Sequence, residues 1–540
     1  MPKKLRIVLA QQNFTVGDIE GNLQKHIQCA ARARDELSAD IIVFPELALT
    51  GYPAEDLFLR PAFIQTEQRA LQTLIAEIKG IHCLVSHTHF QGHQLHNACS
   101  MIYNGMVLGR YAKQHLPNYG VFDEDRYFTP GNAPCVIPVQ GILVGIVVCE
   151  DLWVQGPTQQ AALQGARLIL SPNASPFEIN KHEQRLDNLS KRAKLNQTPI
   201  FYVNNVGGQD ELIFDGGSMV VNEEGNLAQF AGFFNETLLP IDIEISTAGT
   251  KITRSEPTLP SAEEKIYQAL VLAVRDYVEK NHFKRVHLGL SGGIDSALTL
   301  AIAVDALGKE RVHPIYMPSR FSTDISLEEA KKVAKNLGVT LETISIEPVY
   351  KSFLDTLTPH FAGKKPDVTE ENIQARCRAV LLMGLSNKFH SLVLTTGNRS
   401  EMAVGYCTLY GDMAGGFAVL KDVPKTLVYQ LAAHRNTVHP VIPQRTIERA
   451  PTAELATNQQ DDDTLPPYSE LDSILECYLD KSLGIDEIIA EGFKRETVLK
   501  IVGWIRKNEY KRRQSAIGPR IKQKSFGRDW RYPVTNGFEG

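Results

Sequence analysis

The residues Gly289-Leu290-Ser291-Gly292-Gly293-Ile294-Asp295-Ser296 stand between an apolar run, Val286 to Leu290, and a helical apolar pattern that starts at Ala297. A strand, a glycine turn and a helix start in that order suit an anion. Glycines bring backbone N–H groups close to a ligand, and a helix N-terminus favours negative charge. Ser291 and Ser296 add hydroxyl donors. The stretch lacks the Gly-Lys-Ser/Thr ending that reaches along a triphosphate tail, so pyrophosphate fits it better. Asp295 would repel a bare phosphate, which argues for a magnesium ion bridging its carboxylate to phosphate oxygens. A helix simply capped by Asp or Ser after a glycine turn is the bland alternative, and the strand-loop-helix context argues against it.

A second set of reactive residues lies upstream. Ile41 to Phe44 reads as a buried strand that Pro45-Glu46 ends, leaving a carboxylate at a strand's carboxyl end, where α/β proteins put their chemistry. Met106 to Tyr111 leads into Lys113, and the buried run Ile142 to Val148 delivers Cys149-Glu150-Asp151. Taken singly, Glu46 reads as a solvated strand end, Lys113 as a surface charge and Cys149 as an inert core thiol. Taken together they supply what thiol chemistry requires: a base, a cation for the developing charge, and the nucleophile.

The elements that must hold these groups form two blocks. A chain of 540 residues is too long for one core. From Leu5 to about Ile245 short apolar strands alternate with amphipathic helices: Ile7 to Ala10, Gly21 to Ser38, Ile41 to Phe44, and on through Ile81 to Ser86, Ala98 to Tyr103 and Phe201 to Asn205. Strands at Ser218 to Val221 and Leu227 to Ala231 are expected to close this α/β domain, residues 1–245. Periodicity fails over 246–260, where Pro257 and Pro260 mark a linker. Ser261, a plausible N-cap, opens a second domain over 261–540. There strands Val312 to Met317, Thr340 to Ile344 and Leu392 to Thr396 alternate with helices near Ser326 to Leu337 and Glu370 to Lys388, the pattern of a doubly wound parallel sheet.

Bulk properties exclude several classes. A formal net charge of −5 and a pI near 6.3 carry no basic excess to advertise nucleic acid or an anionic membrane. No apolar run approaches a membrane span; the longest candidate, Gly141 to Cys149, has the length of a buried strand. The apolar run after the basic start is too short for a signal peptide, so a cytoplasmic location is expected. Eight cysteines without a Cys-x-x-Cys pair argue against a disulfide framework and against a thiolate zinc site.

The glycine octapeptide resembles the pyrophosphate loop of the ATP pyrophosphatases, which adenylate a carboxylate or carbonyl oxygen before a nitrogen or sulfur nucleophile enters. Glu46, Lys113 and Cys149, in that chain order, resemble the Glu-Lys-Cys triad of the nitrilase superfamily. With the downstream motifs, nearly the whole chain resembles the glutamine-dependent NAD synthetase family. The resemblance implies a nitrilase-like α-β-β-α sandwich followed by a Rossmann-like, doubly wound ATP-pyrophosphatase domain. It also implies roles. Cys149 would attack the side-chain amide of glutamine, Glu46 would shuttle the proton and Lys113 would stabilise the oxyanion, with Tyr119, Ser175 and Lys181 holding the glutamine.

In the second domain the family pattern implies ATP contacts by Gly289, Leu290, Ser291, Gly292, Gly293, Ile294, Asp295 and Ser296, by Thr396 and by Lys425. It implies deamido-NAD contacts by Asn372, Glu401 and Lys511, and magnesium ligation by Asp295 and Glu401. Unaided, Glu401 reads as first-turn acid on a helix, the Asn372 segment as an amphipathic face and Lys511-Arg512-Arg513 as a surface helix. One residue departs from the pattern: Leu409 stands where single-domain synthetases usually carry lysine. The segment from Arg449 to Leu455 and the acidic Asp461-Asp462-Asp463 resemble the family's mobile segment; read alone, they are a loop with solvated acids. The implied reaction amidates deamido-NAD with ammonia from L-glutamine at the expense of ATP, on small-molecule substrates only, in a homo-oligomer. An amidotransferase with another acceptor, or a non-catalytic scaffold joined to a nucleotide sensor, stays open at this point.

Overall fold

Alternation of apolar and polar residues breaks the first half of the chain into strands β1 (Lys3–Gln11), β2 (Ile41–Val43), β3 (His82–Gln91), β4 (Gln94–Tyr103), β5 (Met106–Ala112), β6 (Cys135–Val139), β7 (Ile142–Ile146) and β8 (Leu168–Asn173). There follow β9 (Ile200–Asn204), β10 (Val206–Gln209), β11 (Leu212–Asp215), β12 (Met219–Val221), β13 (Leu227–Phe230), β14 (Thr237–Ser246) and β15 (Gly249–Ile252). Between them run helices α1 (Ile19–Asp35), α2 (Pro61–Glu77), α3 (Pro157–Leu163) and α4 (Lys181–Asn196). The computed structural model describes residues 3–246, 249–254, 258–456 and 459–538. The chain divides into two compact units, the first ending at Pro260 and the second beginning at Ser261.

In the first unit the strands build a seven-stranded sheet, β15-β14-β1-β2-β3-β4-β5, and a six-stranded sheet, β13-β12-β9-β8-β7-β6. Period-two alternation gives each sheet two apolar faces. Ile7, Leu9 and Leu84 from one sheet meet Val144, Leu168 and Phe201 from the other in a shared core. On the outer faces, Val8 and Ile42 pack against Leu23 of α1 and Leu74 of α2, while Ile169 and Met219 pack against Leu189 of α4. The layers are helix, sheet, sheet, helix, a mixed α/β sandwich.

Two details differ from the sequence reading. The sheet is closed by β14, which pairs antiparallel along the whole of β1 from Lys3↔Ile245 to Gln11↔Thr237, rather than by the strand over Leu227 to Ala231. Stretches such as Thr237–Ser246 lack a pure apolar run because every second residue faces outward, which hid the strand. Beyond it, β15 lies inside 246–260, read as linker; Ile252 pairs with Ile243 and is buried, so this piece belongs to the sheet.

The second unit opens with α5 (Ala262–Lys280), whose N-cap Ser261 accepts from the Glu264 N–H at 3.1 Å as its sequence suggested. The parallel sheet follows: β16 (Val286–Gly289), β17 (Val312–Tyr316), β18 (Glu342–Thr343), β19 (Leu392–Thr395) and β20 (Phe417–Ala418), in the order β18-β17-β16-β19-β20. The helices are α6 (Ile294–Leu307), α7 (Asp324–Leu337), α8 (Glu347–Leu357), α9 (Val368–Phe389), α10 (Arg399–Val404), α11 (Lys425–Val438) and α12 (Gln444–Glu448). After them come α13 (Tyr468–Leu475), α14 (Ile485–Ala490), α15 (Arg495–Lys507) and α16 (Glu509–Arg512). The strand order reverses beside β16, between β17 and β19, and such a switch point opens a crevice at the carboxyl ends. α6 begins at Ile294, three residues earlier than the apolar pattern indicated, because Gly293 is extended and caps it; Asp295 thereby falls in the first turn. Among the described residues no helix is long and apolar enough to cross a membrane, and all eight cysteines are free.

Two candidate active sites

In the first unit, Glu46 follows β2, Lys113 follows β5 and Cys149 follows β7, so three strand ends deliver the three groups. Glu46 and Lys113 are wholly buried. The Lys113 Nζ donates to Glu46 Oε1 at 2.7 Å, and Asn97 Nδ2 donates to the same oxygen at 2.8 Å. Glu46 Oε2 accepts from the Ala174 N–H at 3.1 Å. Cys149 stands in a short 3-10 turn at φ 45°, in the left-handed region where a non-glycine residue costs roughly 1–3 kcal/mol. Asp151 fixes that turn: it accepts from the Tyr111 hydroxyl at 2.7 Å, from the His115 N–H at 2.9 Å and from the Val148 N–H at 3.3 Å. One carboxylate therefore ties the cysteine turn to the loop that carries Lys113.

A fourth member escaped the sequence reading. Glu124 is buried in a 3-10 turn, accepts from Lys113 Nζ at 2.9 and 2.8 Å through its two oxygens, and accepts from the Tyr52 hydroxyl at 2.8 Å. Its sequence neighbours Asp123, Asp125 and Arg126 look like a solvated charge run. Burial pushes the Glu124 carboxyl up to about 7, against the pull of Lys113 and with a further push from Glu46. Burial alone would lower the Lys113 ammonium, but Glu124 and Glu46 overcome it and the net shift is upward. Burial and the Glu46 charge push the Cys149 thiol well up, while Lys113 and the Ala174 backbone pull it down. Glu46 and Lys113 thus act on the sulfur in opposite directions.

The three residues expected to hold glutamine are placed unequally. Tyr119 is exposed, and its hydroxyl donates to Glu150 Oε2, the residue after Cys149, at 3.0 Å. The Lys181 ammonium sits 4.6 Å from the centre of the Trp153 ring, close after the same turn. Ser175 is buried; its hydroxyl accepts from Arg185 Nε at 3.1 Å, and Arg185 forms a buried ion pair with Asp215 at 2.8 Å.

In the second unit the glycine loop leaves β16 and lines a cavity of about 300 Å³ at the carboxyl ends of the parallel strands. Gly292 has φ +87°, and a Cβ there would lie 2.3 Å from the Ser326 carbonyl oxygen, so only glycine fits. The Ser291 hydroxyl lies 3.1 Å from the Ser296 hydroxyl and accepts from the Gly293 N–H at 3.2 Å, which holds the loop open around its own serines. Asp295 Oδ1 accepts from Asn398 Nδ2 at 3.0 Å, and its Oδ2 accepts from the Lys425 ammonium. Asn398 caps α10 by accepting from the Glu401 N–H at 3.0 Å, so the loop after β19 carries Glu401 to the same place. Lys425 Nζ also reaches Glu401 Oε1 at 3.4 Å.

All eight loop residues, Thr396, Glu401 and Lys425 line this cavity. Burial pushes the Glu401 carboxyl up to about 8; Lys425 pulls it down, and Asp295, Asp461 and Asp412 push it further up. A pocket with more carboxylate than ammonium fits a divalent cation shared with phosphate oxygens. Among the described residues, though, no three side chains converge as a complete metal cluster. Asp461, expected to be solvated, is buried in the cavity wall, where it accepts from the Tyr468 hydroxyl at 2.8 Å. Asn372 and Lys511 are not among the cavity walls. Asn372 Oδ1 accepts from the Thr408 hydroxyl at 2.7 Å, and Lys511 Nζ donates to the Gly405 and Cys407 carbonyls at 2.8 Å, so both brace the 405–408 loop. Leu409 packs beside an apolar cluster.

A carbon-nitrogen hydrolase family model matches residues 6–252 and an NAD synthase model matches residues 266–515. The chain is 47% identical to a glutamine-dependent NAD(+) synthetase of Acinetobacter baylyi over 99% of each chain. It is 46% identical to one of Aquifex aeolicus over 99% of this chain and 100% of that one. Among solved structures, the Acinetobacter baumannii glutamine-dependent NAD+ synthetase in complex with ADP superposes with a TM-score of 0.81 at 46% identity, covering 99% of both chains. A synthetase from Cytophaga hutchinsonii, 24% identical with a TM-score of 0.82 and covering 99% of this chain and 98% of its own, shares the fold.

Proposed function

Because the chain belongs to the glutamine-dependent NAD(+) synthetases, we propose that its two sites divide one amidation, the first freeing ammonia and the second spending ATP to attach it. The enzyme is a ligase that forms a C–N bond with glutamine as amide donor. The observation that carries the division of labour is the pair of buried charge networks, Glu46–Lys113–Glu124 around Cys149 in one unit and Asp295–Lys425–Glu401 at the glycine loop in the other.

In the first unit the Cys149 thiol gives its proton to Glu46 as the sulfur attacks the side-chain carbonyl of glutamine. Lys113 faces the oxyanion that forms, as a buried cation whose charge is worth more there than in water. Glu46 returns the proton to the leaving nitrogen, ammonia departs, and water hydrolyses the thioester to glutamate. Tyr119, Ser175 and Lys181 hold the glutamine.

In the second unit the nicotinate carboxylate of deamido-NAD is adenylated by ATP. Pyrophosphate leaves onto the Gly289–Ser296 backbone and the Lys425 ammonium, where N–H groups and a cation meet its charge. Magnesium, held by Asp295 and Glu401 with phosphate oxygens, would neutralise charge on the departing group. Thr396 meets ATP, and Asn372, Glu401 and Lys511 meet the dinucleotide, the first and last through the 405–408 loop they brace. Ammonia then displaces AMP and NAD leaves as product.

Joining the two chemistries has a physical reason. Ammonia attacks only when unprotonated, and in neutral water almost all of it is ammonium; a shielded path between sites keeps it neutral and concentrated. We read the enzyme as a cytoplasmic homo-oligomer acting on small molecules, in keeping with its acidic pI of about 6.3. The test is Cys149→Ala: glutamine-supported synthesis is abolished while ammonium-supported synthesis persists, most visibly at alkaline pH. Loss of both would overturn the assignment of separate sites. Pyrophosphate release that requires deamido-NAD beside ATP distinguishes this acceptor from any other.

A further inference from the structure

Lys425 is the first residue of α11, yet that helix has no side-chain cap of its own, since Pro424 occupies the N-cap position. A helix start left without acceptors frays, because its first N–H groups have no partner within the helix. Here acceptors come from elsewhere in the fold. The Lys425 N–H donates to the Ser400 hydroxyl at 2.9 Å, and the Thr426 N–H donates to Asp472 Oδ2 at 2.9 Å. The Thr426 hydroxyl donates to the same oxygen at 2.8 Å, and the Ser400 hydroxyl donates to Asp472 Oδ1. One carboxylate on α13 thus caps α11 directly, and reaches the Lys425 N–H through Ser400 of α10. The same helix α13 begins with Tyr468, whose ring lies 5.2 Å from the Lys425 ammonium.

We propose that Asp472 is a positioning residue for Lys425, holding the first turn of α11 so that the ammonium stands between Asp295 and Glu401. Asp472 does not line the cavity, and it needs no contact with ATP to do this. A negative charge at the N-terminus of α11 also complements the helix dipole, so carboxylate serves here better than a neutral acceptor. Ser400 is the link: its hydroxyl donates a hydrogen bond to Asp472 and accepts one from the Lys425 N–H. Threonine keeps that link and alanine breaks it.

The inference rests on the proposed role of Lys425 toward phosphate, and the experiment separates the two. Ammonium-supported synthesis is followed by pyrophosphate release at saturating deamido-NAD in the full chain. Asp472→Ala is expected to lower kcat about 30-fold, with KM for ATP changed less than threefold, as small misplacements of a charged group do. Asp472→Asn, which keeps the shape and one acceptor oxygen, is expected to lose about fivefold, and it carries the test if the alanine variant does not fold. Ser400→Ala is expected to follow Asp472→Ala, and Ser400→Thr to restore most of the rate. In a Lys425→Met background, adding Asp472→Ala should cost less than a further twofold, since both changes then remove one function. A full 30-fold further loss in that background, or less than twofold loss in both single Asp472 variants, overturns the inference. A Lys425→Met enzyme of normal rate overturns instead the phosphate role of Lys425.

Discussion

Lys113 donates to Glu46 at 2.7 Å with neither side chain reaching solvent, so the groups proposed as general base and oxyanion cation are one buried ion pair before any substrate arrives. Breaking such a pair is costly, typically about 3–5 kcal/mol, because the survivor is left charged and desolvated. The second carboxylate, Glu124, would balance Lys113 if Glu46 took up a proton as proposed.

Glu46→Gln is therefore expected to separate acidity from catalysis. Removing the Glu46 charge takes away one of the effects that push the Cys149 thiol up, so the pH at which iodoacetamide alkylates Cys149 should move down. Glutamine hydrolysis should nonetheless fall by about 10²–10⁴-fold for want of the base. An alkylation profile that shifts upward would contradict the charge relationship.

Glu124→Gln tests the balancing carboxylate. With Glu46 as its only counter-ion, Lys113 would hold that carboxylate in its charged form more strongly, and glutaminase kcat should fall roughly 10–100-fold. Because burial pushes the Glu124 carboxyl up to about 7, the acid limb of the wild-type pH profile should change shape in the variant. An unaltered limb would assign it to another group.

Gly292→Ala is expected to abolish synthesis from either nitrogen source. The added methyl group would press on the Ser326 carbonyl in a backbone conformation that alanine rarely adopts. KM for ATP should rise about 100-fold or the protein should lose ATP-dependent activity altogether, measured by pyrophosphate release. An alanine variant of normal KM would mean that the loop re-forms around a different backbone.

Glu67 offers a stability test outside either charge network. It is buried on α2, accepts from the Thr88 N–H at 2.8 Å and from the Thr88 hydroxyl, and burial raises its carboxyl from 4.5 to about 7. A raised acid favours the protonated folded form: its contribution is whole below about 4.5 and is lost as pH climbs through 7. Glu67→Gln, which keeps the acceptor oxygen, should gain about 3 kcal/mol over the parent at pH 8 and nothing at pH 4. Urea unfolding at the two pH values measures this; an advantage independent of pH would refute it.

Chelating divalent cations should stop pyrophosphate release and leave glutamine hydrolysis, since Asp295 and Glu401 line the cavity proposed to take phosphate, whereas the chemistry proposed at Cys149 needs no cation besides Lys113. Parallel assays of glutamate and pyrophosphate in excess EDTA decide it.

The loop from Gly289 to Ser296 was legible because its chemistry is local: glycines, serines and one carboxylate adjacent in sequence make the geometry by themselves. Glu46, Lys113 and Cys149 were legible only as a set at three strand ends. Glu124 and Asp461 were not, because what makes each significant is burial against partners far along the chain, Lys113 and Tyr52 for one, Tyr468 for the other. β14 was missed for a related reason. Its pattern, with Ile241, Ile243 and Ile245 inward and polar residues between them, is apolar only on alternate positions, and its partner is the first strand of the unit.

That pairing has a consequence for how the polypeptide matures. β1 is made before every other strand of its unit, yet one of its two neighbours is among the last of those strands to be synthesised. Contacts so distant in sequence close slowly. The nascent chain must therefore wait with one edge of β1 open until β14 emerges, and during that interval an unpaired edge invites association with other chains. Once β14 and β15 have docked, the sheets that carry Glu46, Lys113 and Cys149 have all their strands, before the second unit has been made.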